Sequence, residues 1–399
     1  MPVRPLDDIR VLDLTHFYNG PYGTLLLSYL GADVIKIEPP GHGEGMRALY
    51  RAPGREISIG FAILNVNKRS LTLNLKSEEG RDLFKRMVAR ADVVAENFAY
   101  GAMEGFGLGY EVLRAINPRL IYATGKGYGL SGPYRDLPAF DPVVQAMSGV
   151  LSTTGEADGP PMKAGPAVVD MLGGVHFAAA ILAALRNRDR TGEGMLVEVA
   201  LQDAVVPALT THIGAYYGMG ITETRNGNSS PGGVIVPYNV YPARDGYVLI
   251  LAGDNHRWRR LSELMGRAEL GEDARFATMK ARAANVDEVD ETISAWTREH
   301  TRDALMAMLN GADVFCGIVK ELPEVMTDPH LHARGMLREI DDPRLGRITI
   351  WTSPLRMNAE APVPQSLAPV LGADGDEFLR TELGLDAAAI AALRERKVI

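Results

Sequence analysis

IRVLDLTHFYNGPYGTLLLSYLGADVIKIE, residues 9–38, decides the fold class. IRVLDLT (9–15) is a near-continuous apolar run of strand length, the pattern of a strand buried on both faces. PYGTLLLSYLG (21–31) has helical spacing, and ADVIKIE (32–38) is a second buried strand. Strand, helix, strand at this spacing is a βαβ unit, whose two strands lie parallel.

The theme repeats outward from there. SLTLNL (70–75) alternates strictly, and SEEGRDLFKRMVARA (77–91) reads as an amphipathic helix capped at Ser77. DVVAENF (92–98), a helix near 110–116 and LIYATGKGYG (120–129) follow. After Asp170, MLGGVHFAAAILAALRNRDR is small and apolar enough for a closely packed helix, stopped by TGEG (191–194). MLVEVAL (195–201) is a strand, and QDAVVPALTTHIGAYYG (202–218) reads as one long helix. The expected fold is α/β: a large Rossmann-like domain with a parallel sheet covered by helices.

The character changes at MGITETRNGNSSPGGVIVP (219–237), rich in Gly, Ser and Asn, and YNVYPARDGYVLILAG (238–253) carries the Asp-Gly of a hairpin. The expected organisation is residues 1–218 in the large domain, 219–325 in a linker and smaller α+β domain, and 326–399 returning to the large domain.

The composition narrows the function classes. A chain of 399 residues exceeds one ordinary core, and 46% hydrophobic with 23% charged residues is usual for a globular protein. A formal charge of −8 argues against a nucleic-acid groove. Arg186, Arg188 and Arg190 fall at a helix end, where cations complement the dipole, rather than forming a phosphate site. Cys316 is the sole cysteine, so an intramolecular disulfide is impossible and a reducing compartment is expected. With no signal segment and no stretch near ~20 apolar residues, the expectation is a cytoplasmic protein off the membrane.

Familiar cofactor and catalytic signatures are missing. The turn Asn19-Gly20-Pro21-Tyr22-Gly23 lacks the Gly-x-Gly-x-x-Gly of a dinucleotide site. The histidines are scattered, only His330 and His332 being close-spaced, so no metal site and no tightly bound cofactor are expected. No Gly-x-Ser-x-Gly elbow is present.

Asp170 stands apart, in KAGPAVVDMLGG immediately before a helix. Aspartate is a favoured N-cap, and that role is compatible with catalysis. A helix N-terminus would keep the carboxylate ionised, and Gly173 and Gly174 would leave room for an acyl group to approach.

Together these stretches resemble the class III coenzyme A transferases, which include formyl-CoA:oxalate CoA-transferase. The resemblance runs through residues 5–38, NVNKRSLTLNLKSEEG (65–80), ADVVAENF (91–98), NPRLIYATGKGYG (117–129), FDPVVQAMSGVLSTTG (140–155), AGPAVVDMLGG (164–174) and TGEGMLVEVALQDAV (191–205) to LGLDAAAIAALRERKVI. It implies an enzyme that moves coenzyme A from an acyl-CoA to a small carboxylic acid, with coenzyme A as substrate. Mixed anhydride and aspartyl-CoA thioester intermediates would form on Asp170. It also implies a homodimer of two chains threaded as interlocked rings. Carried over by position, the coenzyme A groove comprises His16, Phe17, Tyr18, Asn19, Leu73, Lys76, Asn97, Phe98, Ala99 and Lys126. Pro138, Ala139, Phe140 and Asp141 lie nearer the thiol, and Gly232 and Gly233 form a loop over the substrate.

The chain also departs from that pattern. Pro39, Ala99 and Gly105 stand where family members place phosphate-binding arginines, so Lys76, Arg47, Arg69 or Lys126 would supply the charge. Tyr18 replaces a glutamine of the oxalate enzyme, and that enzyme's four-glycine loop shrinks to Gly232-Gly233. The related α-methylacyl-CoA racemases pair the aspartate with a histidine, where this chain has Phe140. Racemase chemistry and a non-catalytic acyl-CoA-binding protein are the alternative readings.

Overall fold

A computed structural model describes residues 4–222 and 225–399. The chain condenses into two compact units: one formed by the segment ending at Val144, Pro166–Pro207 and Met326–Ile399, the other by Gln145–Gly165 and Ala208–Val325. The span 219–325 lies within the second unit, which also takes 145–165 and 208–218.

The first unit is built on a six-stranded parallel sheet: β1 (Arg10–Asp13), β2 (Asp33–Glu38), β3 (Arg69–Thr72), β4 (Val93–Glu96), β5 (Ile121–Lys126) and β6 (Met195–Ala200). The spatial order is β3-β2-β1-β4-β5-β6. Successive residues feed opposite faces. Val11, Val34, Val93 and Ile121 pack under the helices Asn19–Tyr29 and Val168–Thr191. Leu12, Ile35, Leu71 and Val94 meet Phe84, Met87, Phe378 and Leu393 from the other side. Two covered faces explain why these strands read as apolar runs. The order reverses between β1 and β4, and in such sheets the crevice outside the carboxyl ends at that switch point is where ligands bind.

The helix Glu78–Val88 is capped as expected, the Ser77 hydroxyl accepting from the Gly80 amide at 3.1 Å. The tail contributes β10 (Leu337–Asp342) and β11 (Gly346–Trp351), an antiparallel pair separate from the main sheet. Trp351 packs edge-on against Tyr22.

Two sequence expectations need correction. The single helix over 202–218 is instead Leu201–Val205, a 3-10 turn Val206–Leu209 and the helix Thr210–Met219. Pro207 lacks an N–H, and its ring clashes with the preceding turn. Second, the helix Val168–Thr191 is long and apolar enough to cross a membrane. In this fold it buries Val169, Phe177, Ile181 and Leu185 within the first unit.

The second unit carries an antiparallel sheet of β7 (Tyr238–Ala243), β8 (Gly246–Leu251) and β9 (Phe315–Ile318), packed on helices around Trp258, Ile293 and Leu305. The β7–β8 turn centres on Arg244 and Asp245, with Gly246 already paired to Ala243.

Candidate active site

The turn after β1 is locked at the switch point. The His16 amide donates to Asn97 Oδ1 at 2.8 Å, and Asn97 Nδ2 donates back to the His16 carbonyl at 2.9 Å. This reciprocal pair staples the end of β1 to the end of β4. Beneath it, Lys68 Nζ donates to Asp13 Oδ2 at 2.9 Å and to Thr24 Oγ1 at 2.9 Å, and Lys36 Nζ donates to the Thr15 carbonyl at 2.7 Å. Burial alone would raise the Asp13 pKa, but the Lys68 and Lys36 ammonium groups hold it down at about 2. So supported, the turn carries Phe17 in a left-handed conformation, φ +61, which an aromatic residue adopts only under tertiary constraint.

Above the carboxyl ends of β1–β4 lies a cleft of about 880 Å³. Leu14, Ile37, Leu73 and Phe98 give it an apolar lining, with Lys76, Ala99 and Lys397 among its other residues. An aromatic line leads away from it: the His16 ring meets Phe98 at 5.4 Å and Phe17 at 5.1 Å, and Phe17 meets Phe140 at 6.1 Å. Burial lowers the pKa of His16, which favours the neutral ring.

Asp170 lies in the first turn of the helix Val168–Thr191, whose N-cap is Ala167. The N-cap role expected for Asp170 falls instead to Asp141, from a different segment. Its Oδ2 accepts from the Val169 amide at 2.9 Å and the Asp170 amide at 3.1 Å. Burial first, and the Asp141 carboxylate second, push Asp170 up to about 7. The helix end therefore does not hold it strongly ionised: the amide donors go to Asp141, and the Asp170 carboxyl lies desolvated beside that second carboxylate. A carboxyl poised near neutrality is a stronger nucleophile once ionised than an ordinary aspartate. The Tyr18 hydroxyl is close enough to feel this charge, its pKa being raised by burial, Tyr50 and Asp170.

The glycines after Asp170 serve packing, not acyl access. A Cβ on Gly173 would come within 2.3 Å of Leu201 and 2.4 Å of Asn19 Nδ2, and one on Gly174 within 2.7 Å of the Asn19 carbonyl. They let the helix Val168–Thr191 press against the helix Asn19–Tyr29. Asn19 is buried at this contact, its Nδ2 without a partner. Gly127 does the same for the segment bearing Asp141, since a Cβ there would meet the Ala139 methyl at 2.1 Å. That contact fixes Pro138–Asp141, with the Phe140 side chain 62% exposed.

The expected cations separate into used and unused. Lys126 Nζ is spent on both Glu96 oxygens at 2.8 Å and on the Phe98 carbonyl at 2.7 Å, so it positions Phe98 rather than meeting a phosphate. Arg47 is buried in a two-pronged pair with Glu38, at 2.6 and 2.7 Å, and Arg69 pairs with Asp33 at the opposite end of the strands. Of the expected cations, only Lys76 lines the cleft. Arg188 pairs with Asp92 at 2.8 Å, as a structural cation would. Burial pushes the Cys316 thiol up to about 11, against a nucleophilic role. Gly232 and Gly233 belong to the second unit, in the turn Pro231–Gly233, with φ +73 and +62. Neither the place of Lys397 on the cleft nor the capping by Asp141 has a signal in the local sequence.

The family model described as CoA-transferase family III matches residues 6–375. The chain is 38% identical to the succinyl-CoA–D-citramalate CoA-transferase of Chloroflexus aurantiacus, over 100% of this chain and 99% of that one. It is 41% identical to the succinyl-CoA:mesaconate CoA-transferase of Haloarcula marismortui, over 96% and 97%. A CAIB/BAIF family protein from Brucella suis has a similar crystal structure, with TM-score 0.85, 36% identity and coverage of 95% and 99%. A parallel sheet with a cleft at its switch point, one poised aspartate and full-length similarity agree: the chain belongs to CoA-transferase family III and is a CoA-transferase.

Proposed function

We propose that the protein transfers coenzyme A between small dicarboxylic acids through covalent intermediates on Asp170. The observation that carries this reading is the Asp170 carboxyl, half-buried in the first turn of its helix beside Asp141 and poised near neutrality. In its ionised form one oxygen attacks the acyl carbon of the donor thioester. The carbon–sulfur bond breaks, leaving coenzyme A as thiolate and a mixed anhydride on Asp170. The thiolate attacks the aspartyl carbon, releasing the donor acid and forming the aspartyl-CoA thioester. An acceptor carboxylate then displaces the thiolate, giving a second anhydride. The thiolate attacks its acyl carbon, yielding the new acyl-CoA and the free carboxylate. Each step exchanges acyl derivatives of similar energy, so the protein's contributions are orientation and exclusion of water.

The Lys68–Asp13 network and the His16–Asn97 staple hold the turn in place, and Asp141 fixes the nucleophile's helix. Phe140, next to Asp141, has no proton to give or take, which favours transfer over racemisation. The names of the two relatives make succinyl-CoA the first donor to try, with mesaconate and citramalate as acceptors. Ile213, Tyr216 and Tyr217, left exposed on the helix Thr210–Met219, support a homodimer.

The test is a mass-spectrometric assay of acyl-CoA products from these pairs, together with the intact mass of the protein after exposure to donor alone. Wild type should give the exchanged thioester and a mass adduct; Asp170→Asn should give neither. Transfer by Asp170→Asn within tenfold of wild type would refute the mechanism.

A further inference from the structure

The cleft has two ammonium groups on its lining that the chemistry at Asp170 does not use. Lys76 follows β3, and Lys397 follows the helix Ala387–Glu395; both line the cleft and are exposed. Neither ammonium has an ion pair or side-chain hydrogen bond among the described residues, whereas Arg47 and Lys126 are neutralised by Glu38 and Glu96. Glu38 is the one carboxylate side chain lining the cleft, and Arg47 occupies it. Lys76 and Lys397 therefore offer two unpaired ammonium groups to an anion in the cleft.

Lys397 also stands where the backbone favours another residue. Its amide donates to the Arg394 carbonyl at 2.9 Å, and the Val398 amide donates to Leu393 at 2.9 Å, the pair of bonds that closes a helix in a Schellman turn. Lys397 takes the left-handed position of that turn, φ +57, which glycine fills best. The turn is then tied to the strand side of the cleft: the Asn74 amide donates to the Val398 carbonyl at 2.8 Å and Asn74 Nδ2 to the Lys397 carbonyl at 3.4 Å. Asn74 is two residues from Lys76, so one backbone junction presents both lysines.

We propose that Lys397, paired with Lys76, holds a phosphate group of the coenzyme A nucleotide. The inference rests on the coenzyme A reading above and deepens it. His16, Phe17 and Phe140 lead from the β1–β4 side of the cleft toward the segment that carries Asp141, whose carboxylate caps the Asp170 helix. That side takes the thiol end. The two lysines lie at the β3 side, where the nucleotide end falls, with Leu14, Ile37 and Leu73 as an apolar bed for the base. Pro39 and Ala99 line the same cleft and bring no charge, so the lysines replace the arginines expected at those positions.

Lys397→Gly is the informative variant, because glycine suits the turn and the fold should survive it. Affinities for coenzyme A and for 3′-dephospho-coenzyme A are measured by calorimetry on the full chain, with Tm, KM and kcat alongside. Expected are an unchanged or higher Tm, kcat within about twofold, and coenzyme A bound roughly tenfold more weakly, with Lys76→Ala matching that loss. Weakening confined to coenzyme A assigns the lysines to the 3′-phosphate; equal weakening of both ligands assigns them to the pyrophosphate; either supports the proposal. Unchanged affinity for both ligands in folded Lys397→Gly would overturn it. Wild-type protein that binds no coenzyme A would overturn the transferase mechanism first and this inference with it.

Discussion

Replacing Asp170 by asparagine should remove activity and raise stability, and the gain should depend on pH. The side chain keeps its shape but loses the charge that burial and Asp141 oppose. The carboxyl is pushed from 3.8 to about 7. At ~1.4 kcal/mol per pH unit, the folded protein gives up at most about 4 kcal/mol when this group ionises. The sign follows from proton uptake. Between pH 4 and 7 the folded state binds the Asp170 proton more tightly than the unfolded chain does. The wild type therefore keeps its full stability below pH 4 and loses this part as the pH rises through 7. Asparagine has no such dependence. With ~2.1 cal/mol/K of unfolding entropy per residue, 4 kcal/mol corresponds to a Tm difference of about 5 °C in a chain of this size. Thermal melts of both proteins from pH 4.5 to 8.5 should show the variant gaining on the wild type by about 2–5 °C as the pH rises. A constant difference, or one that grows toward acid, would refute the account of Asp170 as a carboxyl held at a cost.

Asp141→Asn keeps an acceptor for the helix amides but removes the second carboxylate. The inflection of transfer rate against pH should fall by about one pH unit, burial being the larger cause of the Asp170 shift; an inflection that stays near 7 would clear Asp141 of this role. Gly173→Ala drives a methyl into Leu201 and Asn19 and should destabilise the protein by about 2 kcal/mol, with kcat falling more than KM rises; full activity would show that the helix can retreat freely. Replacing both Gly232 and Gly233 by alanine forces two side chains into left-handed backbone and should cost about 1–2 kcal/mol per site. If this turn shields the thioester, acyl-CoA hydrolysis rises relative to transfer, and an unchanged ratio would strike the turn from the site.

The alternation of apolar runs was enough to place all six strands of the parallel sheet, because local periodicity and burial on both faces are written in consecutive residues. Asp170 at a helix start was equally legible, as was the family, whose stretches lie in order along the chain. Partnership was not legible. Asp141 lies 29 residues before Asp170, and nothing in either stretch says that one carboxylate caps the other's helix. Gly173 and Gly174 look alike whether they clear space for substrate or for Asn19, and only the packed helix pair decides it. Lys126 and Arg47 read as free cations until the fold delivers Glu96 and Glu38 to them, while Lys397, in an unremarkable tail, is left facing a cleft. Which elements form, and which carboxylate sits at the head of its helix, can be read from consecutive residues. Tertiary structure decided the charge state of that carboxylate and which cations remain free, because both depend on burial and on distances between residues far apart in the chain.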